Sequence, residues 1–192
     1  MVGDFAKTKK GMDMRKFNIT IILLFLLLIL GFFADSFILN FLVKNRIDLL
    51  NVFFIFVDKY LNYYFLALLI TLLSLLNKNK IFNNFLKLWV GFILSSFIAY
   101  MLKIIIIRPR PIFNLIELTS YSFPSGHTTI MFTLFILIFY NFPKYKYIWL
   151  VISLIIAFSR LYLGVHYFTD VIAGVIIGLY LGKNINDILN KY

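Results

Sequence analysis

Both histidines of this 192-residue chain stand where long apolar segments begin or end. His166 follows Arg160 by six positions and precedes Asp170 by four, and His127 opens another apolar stretch. A charged group near the bilayer core costs roughly 3 kcal/mol on insertion scales, so such groups tend to pair, face a cavity or do chemistry. The placement therefore indicates a functional site.

The polar groups around these histidines suit a phosphate ligand. Arginine matches phosphate oxygens bidentately, lysine adds a point charge, and the first backbone amides of a helix favour an anion. We expect phosphate to be bound by the cations and the helix start that the sequence provides, namely Lys103, Arg110, Arg160, Ser125 and Gly126.

Two histidines can divide a phosphoryl transfer between them. His166 is the better nucleophile, because Asp170 lies four residues on and can share its helical face, holding one ring nitrogen protonated. His127 then serves as the general acid for the departing oxygen, and later as the base that activates water. The residues predict catalysis through a phosphohistidine at His166.

A metal-dependent phosphatase is the main chemical alternative. Two-metal sites need several carboxylates, and only Glu117 and Asp170 lie near these motifs. We therefore expect metal-independent catalysis, with no metal ligands and no cofactor.

Composition indicates where this chemistry takes place. The chain is 62% hydrophobic and 14% charged, more apolar than a soluble domain of this length can bury. Apolar segments near the length needed to cross a bilayer recur along it. The net charge of +11 lies largely in short connections, where it orients a membrane protein, so we expect no nucleic-acid partner.

The expected architecture is all-α, with six transmembrane helices in one bundle. A cytoplasmic tail over residues 1–16 precedes a single domain over residues 17–192. Residues 35–59 mix apolar and charged side chains and are expected to form an interfacial amphipathic segment between the first two spans. The spans are expected over residues 17–34, 60–76, 85–107, 128–142, 147–158 and 171–182.

Basic residues set the expected orientation. Twelve of the nineteen fall on the side of the two termini, so the positive-inside rule places both termini in the cytoplasm. The histidines and their neighbouring cations then face the extracytoplasmic side of the cytoplasmic (inner) membrane.

Three charged stretches in this order resemble the signature of the type 2 phosphatidic acid phosphatase (PAP2) superfamily. They are Lys103 followed after six residues by Arg110-Pro111, then Pro124-Ser125-Gly126-His127, and then Ser159-Arg160 followed by His166 and Asp170. The resemblance implies the roles argued above: the cations bind phosphate, His166 attacks, Asp170 orients it and His127 is the acid. It also implies a membrane-bound enzyme.

The expected function is that of a membrane lipid phosphatase, with the lipid tail left in the bilayer. Candidate substrates are undecaprenyl pyrophosphate, phosphatidylglycerophosphate, phosphatidic acid and a lipid A phosphate, and residues 35–59 and 112–121 are expected to choose among them. A lipid phosphotransferase and a non-catalytic lipid-phosphate binding or transport protein are the alternatives. The oligomeric state is left open.

Two further features have simpler interpretations. Gly174, Gly178 and Gly182 recur every four residues and are expected to allow close helix packing. Arg108 is expected to be an interfacial anchor or a second phosphate contact.

Overall fold

The computed structural model describes residues 13–60, 63–76 and 80–191, which fold as helices joined by short connections and contain no strand. Residues 1–12 of the predicted tail, together with residues 61–62, 77–79 and 192, lie outside this description. A 3-10 turn, Pro143–Tyr145, precedes the sixth helix. The helices are α1 (Met14–Lys44), α2 (Asp48–Tyr60), α3 (Tyr63–Leu75), α4 (Ile81–Ile106), α5 (Gly126–Asn141), α6 (Lys146–Tyr162) and α7 (Phe168–Leu189).

Helix α5 lies at the centre of the bundle. It packs against α4, α6 and α7, and most of its residues from Gly126 to Ile138 are buried. An α-helix that is apolar on all sides is stable when other helices surround it. The chain therefore places the helix that begins beside His127 in its interior.

The contact between α5 and α7 is a close approach of backbones. A β-carbon on Gly174, Gly178 or Gly182 would stand 2.9 Å or less from a backbone carbonyl oxygen of α5. Only glycine fits at such a contact, and the prediction of close packing through these residues is confirmed. The start of α7 is thereby held against the start of α5.

Helix α1 is longer than the sequence predicts. The first span was expected to end at residue 34, but α1 continues through Asp35 to Lys44. The Asp35 carboxylate is buried and accepts hydrogen bonds from the backbone amide and the hydroxyl of Thr169, so its charge does not end the helix. The predicted interfacial segment is thus divided between α1 and α2, and an interfacial position for α2 stays a prediction.

The number of spans is confirmed only in part. Four helical segments of the described chain are long and apolar enough to cross a membrane, and α2 with α3, bent by 68°, would make a fifth. Helix α5 has 16 residues, or about 24 Å, and is shorter than a hydrocarbon core of about 30 Å. The protein is a multi-pass membrane protein with four to five candidate spans in the described residues, and a sixth span stays a prediction.

A buried polar cluster joins three helices at the end opposite the histidines. Lys87 of α4 is 1% exposed, and its ammonium donates to Asn141 at 3.1 Å and to Asn190 at 2.5 Å. Lys87 is therefore a structural cation within the bundle, although the sequence places it among the orienting charges.

Candidate functional site

The predicted site residues come from four helix ends at one end of the bundle. Lys103 lies in the last turn of α4, Arg160 in the last turn of α6, and Asp170 in the first turn of α7. Arg110 lies in the connection after α4, and His166 in the connection between α6 and α7. The remaining three, Ser125, Gly126 and His127, lie at the start of α5.

His166 has a defined partner on each ring nitrogen. Nδ1 lies 3.3 Å from Oδ2 of Asp170, and Nε2 lies 3.3 Å from Nη1 of Arg110. Since a carboxylate only accepts and a guanidinium only donates, Nδ1 carries the proton and Nε2 presents its lone pair. The unprotonated nitrogen therefore faces a cation that was predicted to bind phosphate.

The surroundings keep this imidazole neutral. Burial lowers the pKa of His166 from its ordinary value to about 4; the hydrogen bond and charge of Asp170 oppose the change, and the charges of Arg110 and Lys103 add to it. At neutral pH the ring is uncharged. This is the protonation state that a nucleophilic nitrogen requires.

Two of the predicted phosphate-binding cations are held by backbone carbonyl groups. Arg110 donates to the carbonyl oxygens of Ser120 and Val165, each at 2.6 Å. Lys103 donates to the carbonyl oxygens of Tyr121 at 2.6 Å and Ser122 at 3.1 Å. These bonds fix both side chains without adding a counter-charge.

A small cavity lies beside these cations. Its volume is about 120 Å³, and its polar lining includes Lys103, Ser120 and Gly126. The N-terminal end of α5 opens on it through Gly126, where the helix dipole favours an anion. The cavity therefore combines an ammonium, a hydroxyl-bearing residue and a helix start.

Ser125 has other partners in this structure. Its backbone amide donates to the carbonyl oxygen of Asp170 at 3.0 Å, and its hydroxyl accepts from the hydroxyl of Thr128 at 2.9 Å. The Ser125 amide thus joins α5 to α7, and phosphate binding by the Ser125 hydroxyl stays a prediction.

Arg160 is buried and ion-paired. It is 1% exposed, donates to the hydroxyl of Ser159 at 3.0 Å, and forms a salt bridge with Asp58 of α2. Sequence analysis did not associate Asp58 with the site, because the two residues lie 102 positions apart. A phosphate that binds Arg160 would have to compete with this carboxylate.

Asp58→Asn is therefore expected to lower KM for a phosphate substrate by about fivefold, which corresponds to loss of roughly 1 kcal/mol of competing ion pairing. Steady-state kinetics, with inorganic phosphate as a competitive inhibitor, measure the change. Asp48→Asn is a matched control on the same helix, where the carboxylate contacts Asn51. An unchanged or higher KM would mean that Asp58 positions Arg160 instead of competing for it.

Arg108 forms ion pairs with two carboxylates inside the bundle instead of lying at the surface as an interfacial anchor, and a second phosphate contact through Arg108 stays a prediction. Its guanidinium donates to Asp170 of the His166 pair and to Asp35 of α1, at 2.6 Å and 2.7 Å. The sequence had predicted Asp35 to begin the interfacial segment, residues 35–59, rather than to lie within a helix of the bundle. A carboxylate among apolar residues requires a cationic or hydrogen-bonding partner. The sequence could therefore have indicated that Asp35 is paired, although not with which residue.

His127 lies between the charged end and an apolar cavity. It is within electrostatic range of Arg160, His166, Lys103 and Arg110. It also lines a cavity of about 270 Å³ between α3, α5 and α6, whose other lining residues are Phe65, Leu66, Leu69, Met131, Trp149, Ile152 and Ile156. One side of His127 therefore meets the cations and another meets an apolar volume.

In the described parts of the chain, no three side chains of the His, Cys, Asp and Glu types are grouped so that they could hold a metal ion. The chemistry that these residues can perform themselves is nucleophilic attack, proton transfer and binding of an anion.

The chain is similar in sequence and in structure to known proteins. The chain is 28% identical to an undecaprenyl-diphosphatase of Sulfolobus acidocaldarius, over 88% of its own length and 89% of the relative's. It is similar in structure to a transmembrane PAP2-type phosphatidylglycerolphosphate phosphatase of Bacillus subtilis, with a TM-score of 0.74 and 25% identity, over 89% and 96% of the two chains. It is also similar to LpxE of Aquifex aeolicus, with a TM-score of 0.70 and 28% identity, over 83% and 96%.

The match to a family covers the part of the chain that carries the three motifs. Residues 84–191 match the PAP2 superfamily, and this range holds both histidines, Asp170 and the predicted phosphate-binding cations. The protein belongs to the PAP2 superfamily.

Proposed function

We propose that this membrane lipid phosphatase removes phosphate from a lipid phosphate or lipid pyrophosphate through a phosphohistidine at His166, on the extracytoplasmic side of the cytoplasmic membrane. The observation that carries the proposal is the orientation of the His166 ring. Nδ1 is held by Asp170, and the lone pair of Nε2 faces Arg110. Positioning of this kind prepares a nucleophile before the substrate arrives.

The first step transfers the phosphoryl group from the oxygen of the lipid to Nε2 of His166. The phosphate binds Lys103, Arg110 and Arg160, and the Arg110 contact to Nε2 of His166 gives way to the phosphorus atom. The Nε2 lone pair forms the N–P bond as the P–O bond to the lipid breaks. His127 donates a proton to the departing oxygen, which leaves as a lipid alcohol, or as a lipid monophosphate from a pyrophosphate.

The second step returns the enzyme to its starting state. His127, now unprotonated, accepts a proton from a water molecule as the water oxygen bonds to phosphorus. The N–P bond breaks, the electron pair returns to Nε2 of His166, and inorganic phosphate is released. Asp170 stabilises the imidazolium character of His166 in the phosphoenzyme through the Nδ1–H bond.

The apolar cavity beside His127 suits the lipid part of such a substrate. Because the acid must reach the departing oxygen, the first carbons attached to that oxygen lie next to His127. The cavity provides apolar contacts there, toward α3 and α6. The rest of the tail stays in the bilayer.

Four lipids form the test panel: undecaprenyl pyrophosphate, phosphatidylglycerophosphate, phosphatidic acid and a lipid A phosphate. Undecaprenyl pyrophosphate is tested first, since a relative aligned over 88% of this chain and 89% of its own length is named an undecaprenyl-diphosphatase. Purified protein in detergent with EDTA is expected to release inorganic phosphate from at least one of them. Loss of activity on chelation, restored by a divalent metal, would contradict the metal-independent mechanism.

A further inference from the structure

The geometry points to Asp35 of α1 as a positioning residue for the His166–Asp170 pair, acting through Arg108. This inference rests on the proposed role of His166 as the nucleophile. Asp35 lies outside the residues that match the superfamily, 84–191, and Arg108 is not a position of the three-part signature.

Four ionisable groups form a continuous chain of contacts. Arg108 donates through Nη2 to Oδ2 of Asp35 at 2.7 Å and through Nη1 to Oδ1 of Asp170 at 2.6 Å. Asp170 in turn contacts Nδ1 of His166 through Oδ2 at 3.3 Å. The order is carboxylate, guanidinium, carboxylate, imidazole.

The two carboxylate oxygens of Asp170 have different partners. Oδ1 accepts from Arg108, while Oδ2 accepts from the backbone amide of Tyr167 at 2.9 Å and meets His166. The terminal torsion of an aspartate has a broad energy minimum and does not by itself choose an orientation. Arg108 therefore fixes the rotation of the carboxylate group, so that one oxygen stays aimed at the imidazole.

Asp35 in turn fixes Arg108. Both carboxylates are nearly inaccessible, with side-chain exposures of 5% for Asp35 and 0% for Asp170, and the Arg108 side chain is 20% exposed. The Tyr167 ring covers the guanidinium at 4.1 Å. A partly buried cation between two carboxylates is held by both, and neutralising Asp35 leaves the guanidinium paired with Asp170 alone and free to shift from its present position.

Asp35 also has contacts that a purely structural role would explain. It accepts from the backbone amide of Thr169 at 2.9 Å and from its hydroxyl at 2.6 Å, which caps the start of α7 from a neighbouring helix. A test must therefore separate the capping of α7 from the orientation of Asp170.

Asp35→Asn makes this separation. Asparagine keeps a carbonyl oxygen for the Thr169 amide but presents no negative charge to Arg108. We expect kcat to fall by about 10- to 100-fold, with KM changed by less than about twofold. A loss of this size is seen in metalloenzymes when the hydrogen-bond partner of a metal-binding side chain is removed. Asp187→Asn is the matched control on α7, where an exposed carboxylate pairs with Lys183, and it is expected to keep full activity.

A double-variant cycle tests whether Asp35 acts through Arg108. Arg108→Gln alone is expected to lower kcat to a similar degree, and adding Asp35→Asn to it is expected to cause little further loss. Independent, multiplying losses would overturn the inference. If Asp35→Asn is not recovered in a folded state, Arg108→Gln tests the same Asp35–Arg108 contact by removing the guanidinium instead of the carboxylate.

The tautomer of His166 gives a readout that does not depend on activity. With only two histidines in the chain, ¹⁵N-histidine NMR at pH 7 resolves each ring, and His127→Gln assigns the signals. We expect a single Nδ1–H tautomer in the wild type and a mixture with Nε2–H in Asp35→Asn. An unchanged tautomer together with unchanged kcat would overturn the role of Asp35. An active His166 variant would instead overturn the proposed function.

Discussion

Replacing His166 with asparagine is expected to lower kcat by about 10⁴-fold or more, as loss of a nucleophile does in enzymes that form a covalent intermediate. Asparagine fills part of the same space and can still contact Asp170. It has no lone pair able to attack phosphorus, because its amide nitrogen is conjugated with the carbonyl group. The cations and the lipid cavity remain, so substrate binding is expected to change little.

Steady-state phosphate release and rapid-quench labelling with a ³²P-labelled lipid phosphate measure this effect. The wild type is expected to form an acid-labile, base-stable phosphoenzyme, and His166→Asn is expected to form none. A thermal melt of both proteins in the same detergent controls for folding. Activity within tenfold of the wild type, or a phosphoenzyme that survives the substitution, would show that His166 is not the nucleophile.

Replacing His127 with glutamine is expected to have the next largest effect, lowering kcat by about 10²- to 10⁴-fold on a lipid phosphate monoester. An alkoxide is a poor leaving group and needs the proton that His127 supplies. An aryl phosphate has a leaving oxygen that departs without protonation, so the loss in the first step should be much smaller. The size of the defect should therefore follow the pKa of the leaving group.

Comparing a lipid phosphate with an activated aryl phosphate in His127→Gln tests this dependence. With the aryl substrate, formation of the phosphoenzyme is expected to outpace its hydrolysis, because the same histidine activates water in the second step. Phosphoenzyme should therefore accumulate in a burst. An equal loss with both substrates, without a burst, would assign His127 to substrate binding.

Local spacing was sufficient to predict the residues nearest the proposed chemistry. His166 and Asp170 are four positions apart, and their side chains meet, although α7 begins at Phe168 and His166 precedes the helix instead of sharing its face. Helix ends marked by polar residues likewise predicted that Lys103, Arg110 and His127 would come to one end of the bundle. These predictions depend on short-range geometry and on the alternation of spans.

Long-range pairings could not be predicted in this way. Asp35 meets Arg108 across 73 positions, and Asp58 meets Arg160 across 102. A charge pattern shows that a buried carboxylate needs a partner, but not which of nineteen basic residues supplies it. The prediction that the first helix ends at residue 34 was wrong for the same reason. Its ion pair with Arg108 allows Asp35 to lie in the middle of α1.

Hydropathy does not by itself decide the number of spans. It treats every apolar segment alike, whereas α5 is apolar because other helices surround it. Its 16 residues fit the interior of the bundle without having the length of a typical span.

The glycine contact between α5 and α7 has a consequence for how substrate preference can diverge. The helix that begins beside His127 and the helix that carries Asp170 meet backbone to backbone. Substitutions between side chains of different size therefore cannot adjust the distance between these two helices in small steps. Substitutions that adapt the enzyme to a different lipid must therefore fall on other helices near the site, such as α2 and α3. In a PAP2 enzyme built this way, the spacing of the reacting groups is inherited unchanged while the choice of lipid is free to vary.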